Sequence, residues 1–201
     1  MQFRPAAAGD ADAVVPLMYE SSKGLFDAIL KAGRDDPQAF LRHDFLRGDG
    51  IFGLRNQVVA VDGGAVVATM TMYAGGRYGE LSKETVKSVL GHFGPFKAVG
   101  IGARARPLGA LFIQPRTDGL FLANACVIPT RRGQGIFARL LDHGVERARR
   151  DGLAAVELDV SFKNTAARAA YERLGFVVTT ERPYLGKAGL DGFRRMQRLV
   201  A

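Results

Sequence analysis

Residues 120–150, LFLANACVIPTRRGQGIFARLLDHGVERARR, constrain the fold more than any other stretch. From 120 to 128 both alternations are apolar except at Asn124, the pattern of a strand buried on both faces. Pro129 has no N–H to give a ladder, so the strand is expected to end or splay there. Arg131, Arg132, Gly133, Gln134 and Gly135 make the turn that follows. Beyond it Ile136, Leu140, Leu141, Val145 and Ala148 recur at helical spacing with charged residues between them. Strand, glycine-bearing turn and helix start bring unpaired amides and the positive end of a helix dipole to one point, which suits an anion. The spacing fits neither the lysine-bearing phosphate loop nor the three-glycine dinucleotide fingerprint.

A second stretch, NTAARAAYERLGF at 164–176, lies one strand downstream. Together the two stretches resemble the GNAT superfamily of acetyl-coenzyme A-dependent acetyltransferases. Arg132, Gly135 and the run Val127, Ile128, Pro129 match its first motif. Asn164, Ala167, Tyr171, Gly175 and Phe176 match its second. One position departs: Phe137 stands where glycine or alanine is usual, and its bulk is expected to narrow the pyrophosphate cleft while leaving the backbone amides in place. The resemblance implies an α/β fold with a mixed, splayed central β-sheet flanked by helices on both faces. It implies acetyl-CoA as cosubstrate, no metal, and direct acetyl transfer to an amine carried by a small molecule, a protein or a peptide.

The same resemblance assigns roles by position. Gly133, Gln134, Gly135, Ile136, Phe137 and Ala138 hold the pyrophosphate, with charge from Arg131 or Arg132. Ala125, Cys126 and Val127 lay their backbone along the pantetheine as a neighbouring strand would. Tyr171 is the candidate acid for the departing thiolate, against the alternative of a tyrosine on an apolar helix face. Asn164 is at once a helix cap and a coenzyme contact. Asp159, with Glu157 two residues earlier on the same face of its strand, is a candidate base or a site for a cationic acceptor; both are equally open to being salt-bridged. Tyr19 and Glu20 are further acceptor-side candidates. Cys126, in an apolar strand with no base beside it, reads as a small core residue.

The rest of the chain supplies a scaffold. Residues 2–6 read as a strand, and Asp10 as the cap of a helix reaching about residue 20, with Pro16 awkward inside it. Helical patterning continues to 45 with breaks at Gly33 and Pro37, Pro37 suiting a first turn. Residues 57–73 are a hairpin about Asp62-Gly63-Gly64. Residues 75–80 read as loop, Ser82 as a helix cap, and Gly100 and Gly102 as turn formers. The span 75–119 is long for a connection, so it is read as an insertion in one acetyltransferase domain covering 1–201, expected to cover the acceptor side. Strands at 154–160 and 176–180 and a last strand ending MQRLV complete the pattern.

Composition sets the outer bounds. A chain of 201 residues, 47% hydrophobic, can bury one good core. No apolar run is long enough to span a membrane and the N-terminus lacks a secretory pattern, so a cytoplasmic protein is expected. One cysteine excludes an internal disulfide, and His43, His92 and His143 are scattered without ligand spacing. The net charge of +8 suits a polyanionic coenzyme. No basic stretch interleaved with aromatics marks a nucleic-acid partner. A non-catalytic acyl-CoA-binding sensor remains the alternative, and monomer or homodimer are both open.

Overall fold

Alternation along β2 (Gln57–Asp62) and its neighbours decides the architecture. Val58 and Ala60 point into one core with Met70, Leu122 and Leu158, while Val59 points into another with Val14, Met18, Phe40 and Phe45. A sheet apolar on both faces must be covered on both. The computed structural model describes residues 1–31, 33, 35–186 and 189–200. Its seven-stranded sheet runs β1-β2-β3-β4-β5-β7-β6. The strands are β1 (Gln2–Pro5), β2, β3 (Ala65–Ala74), β4 (Gly119–Val127), β5 (Ala155–Ser161), β6 (Val177–Pro183) and β7 (Gly192–Leu199). Neighbours are antiparallel except β4 and β5. The mixed sheet with helices on both faces is the architecture expected from the motifs.

One face carries α5 (Ile136–Arg150), whose Leu140, Leu141, Val145 and Ala148 are buried against the sheet. Gly144 lets it come close: a Cβ there would lie 3.2 Å from Leu122. The helix α6 (Thr165–Arg173) follows β5. The other face carries α1 (Ala11–Ser21), α2 (Lys23–Leu30) and α3 (Pro37–Arg47). Pro37 opens α3 as expected, whereas Pro16 lies inside α1 with its side exposed. Asp10 does not cap α1 with its side chain; it accepts from Ala7 N at 2.7 Å and pairs with Arg4 at 2.7 and 2.9 Å.

The span between β3 and β4 departs most from expectation. A 3-10 turn at Gly75–Arg77 leads directly into α4 (Tyr78–Ala105), so residues 78–80 are helix and Ser82 lies inside it, its buried hydroxyl without a partner among the described residues. Gly100 and Gly102 sit within the helix too, where its packing on α2 and α3 outweighs their weak propensity. The break falls at Gly94, whose φ of 74° is left-handed and which precedes Pro95. A further 3-10 turn, Arg106–Leu111, brings the chain back. The two ends of the span cross tightly, since a Cβ on Gly75 would stand 2.1 Å from the Arg116 carbonyl oxygen. Two histidines read as scattered meet here: His43 on α3 and His92 on α4 have ring centroids 5.1 Å apart. Among the described residues no group of three or more His, Cys, Asp or Glu is placed to hold a metal, and no helix is long and apolar enough to cross a membrane.

Candidate functional site

The site begins where two parallel strands part. β4 and β5 pair from Gly119↔Ala155 to Leu122↔Leu158 and no further. Past that point the β4 edge facing β5 is unpaired, so backbone groups are left to the cleft. A register shift against β3 between Thr69 and Thr71 marks a bulge in β4, and Asn124 there has φ of 49°, left-handed for a non-glycine residue. Its side chain is held from both sides. Thr71 donates to Asn124 Oδ1 at 3.3 Å, and Asn124 Nδ2 reaches Ser21 and Ser22 Oγ at 3.3 and 3.2 Å. The bulge is thereby tied to the junction of α1 and α2.

Beyond β4 lies the anion-suited turn. Gly133 and Gly135 have φ of 76° and 72°, and Gly135 caps α5 with no side chain over its amides. Among the described residues no side chain caps the first-turn N–H groups, which carry the dipole's positive end. Neither flanking arginine points freely at them: Arg131 pairs with Asp62, and Arg132 Nε donates to the Val127 carbonyl at 3.1 Å. Between this turn, β4 and α6 runs a cleft of about 700 Å³. Ala125, Cys126, Val127, Arg132, Gly133, Gly135, Ile136, Phe137, Ala138 and Asn164 line it. Gln134 does not; its amide turns back toward the Thr130 carbonyl at 3.5 Å.

Asn164 caps α6, its Oδ1 accepting from Ala167 N at 3.1 Å. Two turns on from the cap, Tyr171 is buried, 8% exposed, and lines a second cavity of about 380 Å³ at the strand splay. Burial pushes its phenol well above the ordinary tyrosine value. Phe137, Asn164, Ala167, Ala125 and Glu20 line both cavities. An anion-ready turn, an open strand edge and a neutral phenol thus meet in one continuous cleft.

A profile of the acetyltransferase (GNAT) family matches residues 34–176. The chain belongs to that family. A solved N-acetyltransferase from Staphylococcus aureus Mu50 superposes with a TM-score of 0.77 at 14% identity, over 98% of this chain and 100% of that one. A solved acetyltransferase gives 0.66 at 22% identity, covering 100% of both chains. A ribosomal-protein-alanine N-acetyltransferase from Brucella melitensis gives 0.60 at 19%, covering 99% of each. At these identities the likeness is one of fold. No curated protein matches the chain in sequence.

Within this acetyltransferase fold, Glu157 and Asp159 do share a face of β5, but each meets arginines. Asp159 accepts from Arg195 Nε and Nη2 at 2.7 and 3.0 Å and pairs with Arg182. Glu157, 4% exposed, accepts from Arg116 N at 2.8 Å and lies 3.7 Å from Arg195. Arg182 also reaches the Leu111 carbonyl, and Arg195 the Ile113 carbonyl at 3.0 Å. Burial disfavours the Arg195 charge, yet the Asp159 hydrogen bonds and the fields of Asp159 and Glu157 more than offset it, raising its pKa. This cluster clamps residues 111–116 to β5. Sequence patterning found the shared face but had no means of seeing arginines 23 and more residues away. Glu20, by contrast, is exposed, and among the described residues no hydrogen bond or ion pair engages it. Cys126 is buried, with its thiol pKa raised by burial, as a core residue would have it. The hydroxyls of Ser21 and Ser22 went unnoticed in the sequence because only the helix break turns them toward Asn124.

Proposed function

We propose that this protein moves an acetyl group from acetyl-CoA directly to an amine, both substrates bound together. The observation that carries the reading is the meeting of the unpaired β4 edge, the uncapped start of α5 and Tyr171 in one cleft. Family membership supports acetyl transfer in general.

In this reading the amides of residues 133–138 receive the pyrophosphate. The fixed dipoles need no reorganisation, and exposed Arg173 adds a cation at the rim. Backbone groups of Ala125, Cys126 and Val127 align the pantetheine arm, and an amide near Val127 holds the thioester carbonyl and then its oxyanion. Asn164 presents the α6 start to the coenzyme while capping it. Phe137 fills the floor of the cleft beside Tyr171 and does not close the turn above it.

Proton balance assigns the remaining roles. An ammonium must lose one proton before attack and a second as the amide forms; the departing thiolate takes one. Glu20, lining both cavities and unpaired, is better placed to accept a proton than Asp159 or Glu157, whose oxygens face guanidiniums. Tyr171 stays protonated at every working pH. Full transfer from so weak an acid to a thiolate with a pKa of about 8.5 runs uphill, so its service is a hydrogen bond to the growing charge, with the amine proton passed on as the bond breaks. Residues 75–119 are read as an insertion walling the acceptor side of a single catalytic domain.

Thiol release from acetyl-CoA across an amine panel tests the reading. Release with some amine, abolished on omitting the amine and strongly reduced in Tyr171→Phe, is expected. Calorimetric binding of acetyl-CoA without release from any amine would favour the non-catalytic sensor.

A further inference from the structure

The splay cavity has a side chamber. A space of about 170 Å³ shares Ser22, Leu122, Ala123, Asn124 and Asp159 with it, then continues beneath the ends of the 75–118 connection. Its own walls are Tyr73, Tyr78, Phe121, Phe52, Leu111 and Ile113. Three of these rings form one group, with Tyr73 tilted against Phe121 at 5.5 Å and stacked on Tyr78 at 6.4 Å. Tyr73 is only 3% exposed, and among the described residues its hydroxyl has no hydrogen-bond partner.

We infer that this chamber receives the body of the acceptor, and that the acceptor is a small primary amine on a short arm ending in one six-membered ring or an equally bulky apolar group. The inference rests on the transfer reading above and names its substrate class. Volume sets the size: a dry apolar cavity of about 150 Å³ holds benzene, so this one admits one ring and not two. Chemistry sets the character, because the aromatic and aliphatic walls favour an apolar or aromatic body, while the two charges that border the chamber, Asp159 and Arg195, are already paired with each other. Continuity sets the direction. The chamber opens at Ala123 and Asn124, where the strands part, so a ring seated against Tyr73 and Phe121 leaves the amine on the side of Glu20 and Tyr171. The connection makes the chamber: Tyr78 comes from its start, Leu111 and Ile113 from its end, and Arg182 and Arg195 hold that end by the Leu111 and Ile113 carbonyls.

The test compares 2-phenylethylamine, 3-methylbutylamine, ethylamine, ethanolamine and an alanine-initiated peptide, in thiol release and in calorimetric binding with coenzyme A present. The expected kcat/KM for 2-phenylethylamine exceeds that for ethylamine by about 100-fold, because a whole ring is buried where single methylenes are already discriminated. Ile113→Trp, which fills the chamber from its roof, is expected to remove that advantage, bringing kcat/KM for 2-phenylethylamine down to that for ethylamine, with acetyl-CoA affinity unchanged. Tyr78→Ala should extend acceptance to 2-(1-naphthyl)ethylamine. Equal rates for all the amines, or preference for ethanolamine or the peptide, would overturn the inference and leave acetyl transfer standing. Binding of 2-phenylethylamine to wild type but not to Ile113→Trp, with no thiol release from any amine, would uphold the chamber and fail the transfer reading. No binding of 2-phenylethylamine at all overturns it.

Discussion

The Phe137 ring lies against the Tyr171 ring, centroids 5.4 Å apart at 55°. Tyr171 in turn meets Phe176 edge-on at 5.8 Å. The residue that departs from the family motif is therefore a neighbour of the residue proposed to handle the thiolate, and the two aromatic contacts fix the phenol from both sides. Phe137 lines the cleft beside the glycine turn as well as the cavity at the strand splay.

Phe137→Ala should accordingly leave the anion turn intact and free Tyr171 to move. Acetyl-CoA affinity is expected to change by less than about 3-fold while kcat falls by roughly 10-fold, the pattern of lost positioning. Tyr171→Phe keeps both ring contacts and removes only the hydroxyl, so thermal stability should hold and kcat should drop by about 10²–10⁴-fold. Calorimetry and steady-state kinetics on the two variants separate the effects. A weakened acetyl-CoA affinity in Phe137→Ala with unchanged kcat would place the ring's role at the pyrophosphate instead.

Gly135 tests the turn by itself. A Cβ there meets nothing within 4 Å, so the penalty for a side chain comes only from its φ of 72°. Holding a non-glycine residue in that region costs about 1–2 kcal/mol. Gly135→Ala should weaken acetyl-CoA binding by about 5–30-fold if the turn relaxes to escape the strain, with kcat at saturating acetyl-CoA little altered. Titration calorimetry reads the first and saturation kinetics the second.

How far the sequence reached is clear from β4 and α4. The strand, turn and helix at 119–150 obey strong local rules: a run apolar on both alternations except at Asn124, two glycines at positive φ, and a 3.6-residue apolar stripe. They were legible for that reason. The α4 span obeys weak ones. Its glycines and Pro95 argue for turns locally, and only packing of Leu81 on Tyr73 and Phe121 and of Ile101 into the core of α1 to α3 selects the helix. The charged cluster shows the same divide. A two-residue period puts Glu157 and Asp159 on one face, but their meaning depends on Arg182 and Arg195, brought over by β6 and β7. Asn124 lay between: its oddness in an apolar strand was visible, while the bulge that turns it left-handed belongs to the pairing with β3.

Those partners yield a test of the base. Glu157→Gln keeps an acceptor for the Arg116 N–H but gives up the charge facing Arg195, so its effect should be on stability, lowering the denaturant midpoint without altering the pH profile of kcat/KM. Glu20→Gln, at an exposed position, should do the reverse. Its kcat/KM for the amine should fall by about 10²-fold near neutral pH and recover as the amine deprotonates unaided at higher pH. A pH profile reshaped by Glu157→Gln and not by Glu20→Gln would return the base to β5.

The histidines set the acid side of stability. Burial lowers the His92 pKa first, and the charge of neighbouring His43 adds to it; burial, Arg150 and Arg147 lower that of His143. A histidine whose folded pKa lies below its unfolded value of about 6.5 binds fewer protons folded than unfolded in the interval between them, so stability rises with pH there. The contribution is complete above pH of about 6.5 and is lost as the pH falls through the folded values. Asp44 works in the opposite sense, since burial raises its pKa and its penalty grows as pH rises. The comparison that isolates the histidine is therefore wild type against His92→Phe, whose ring can keep the contacts with Phe40 and Phe93. Urea midpoints between pH 7.5 and 5 should fall more steeply for wild type than for the variant, and parallel slopes would mean that His92 protonates as freely folded as unfolded.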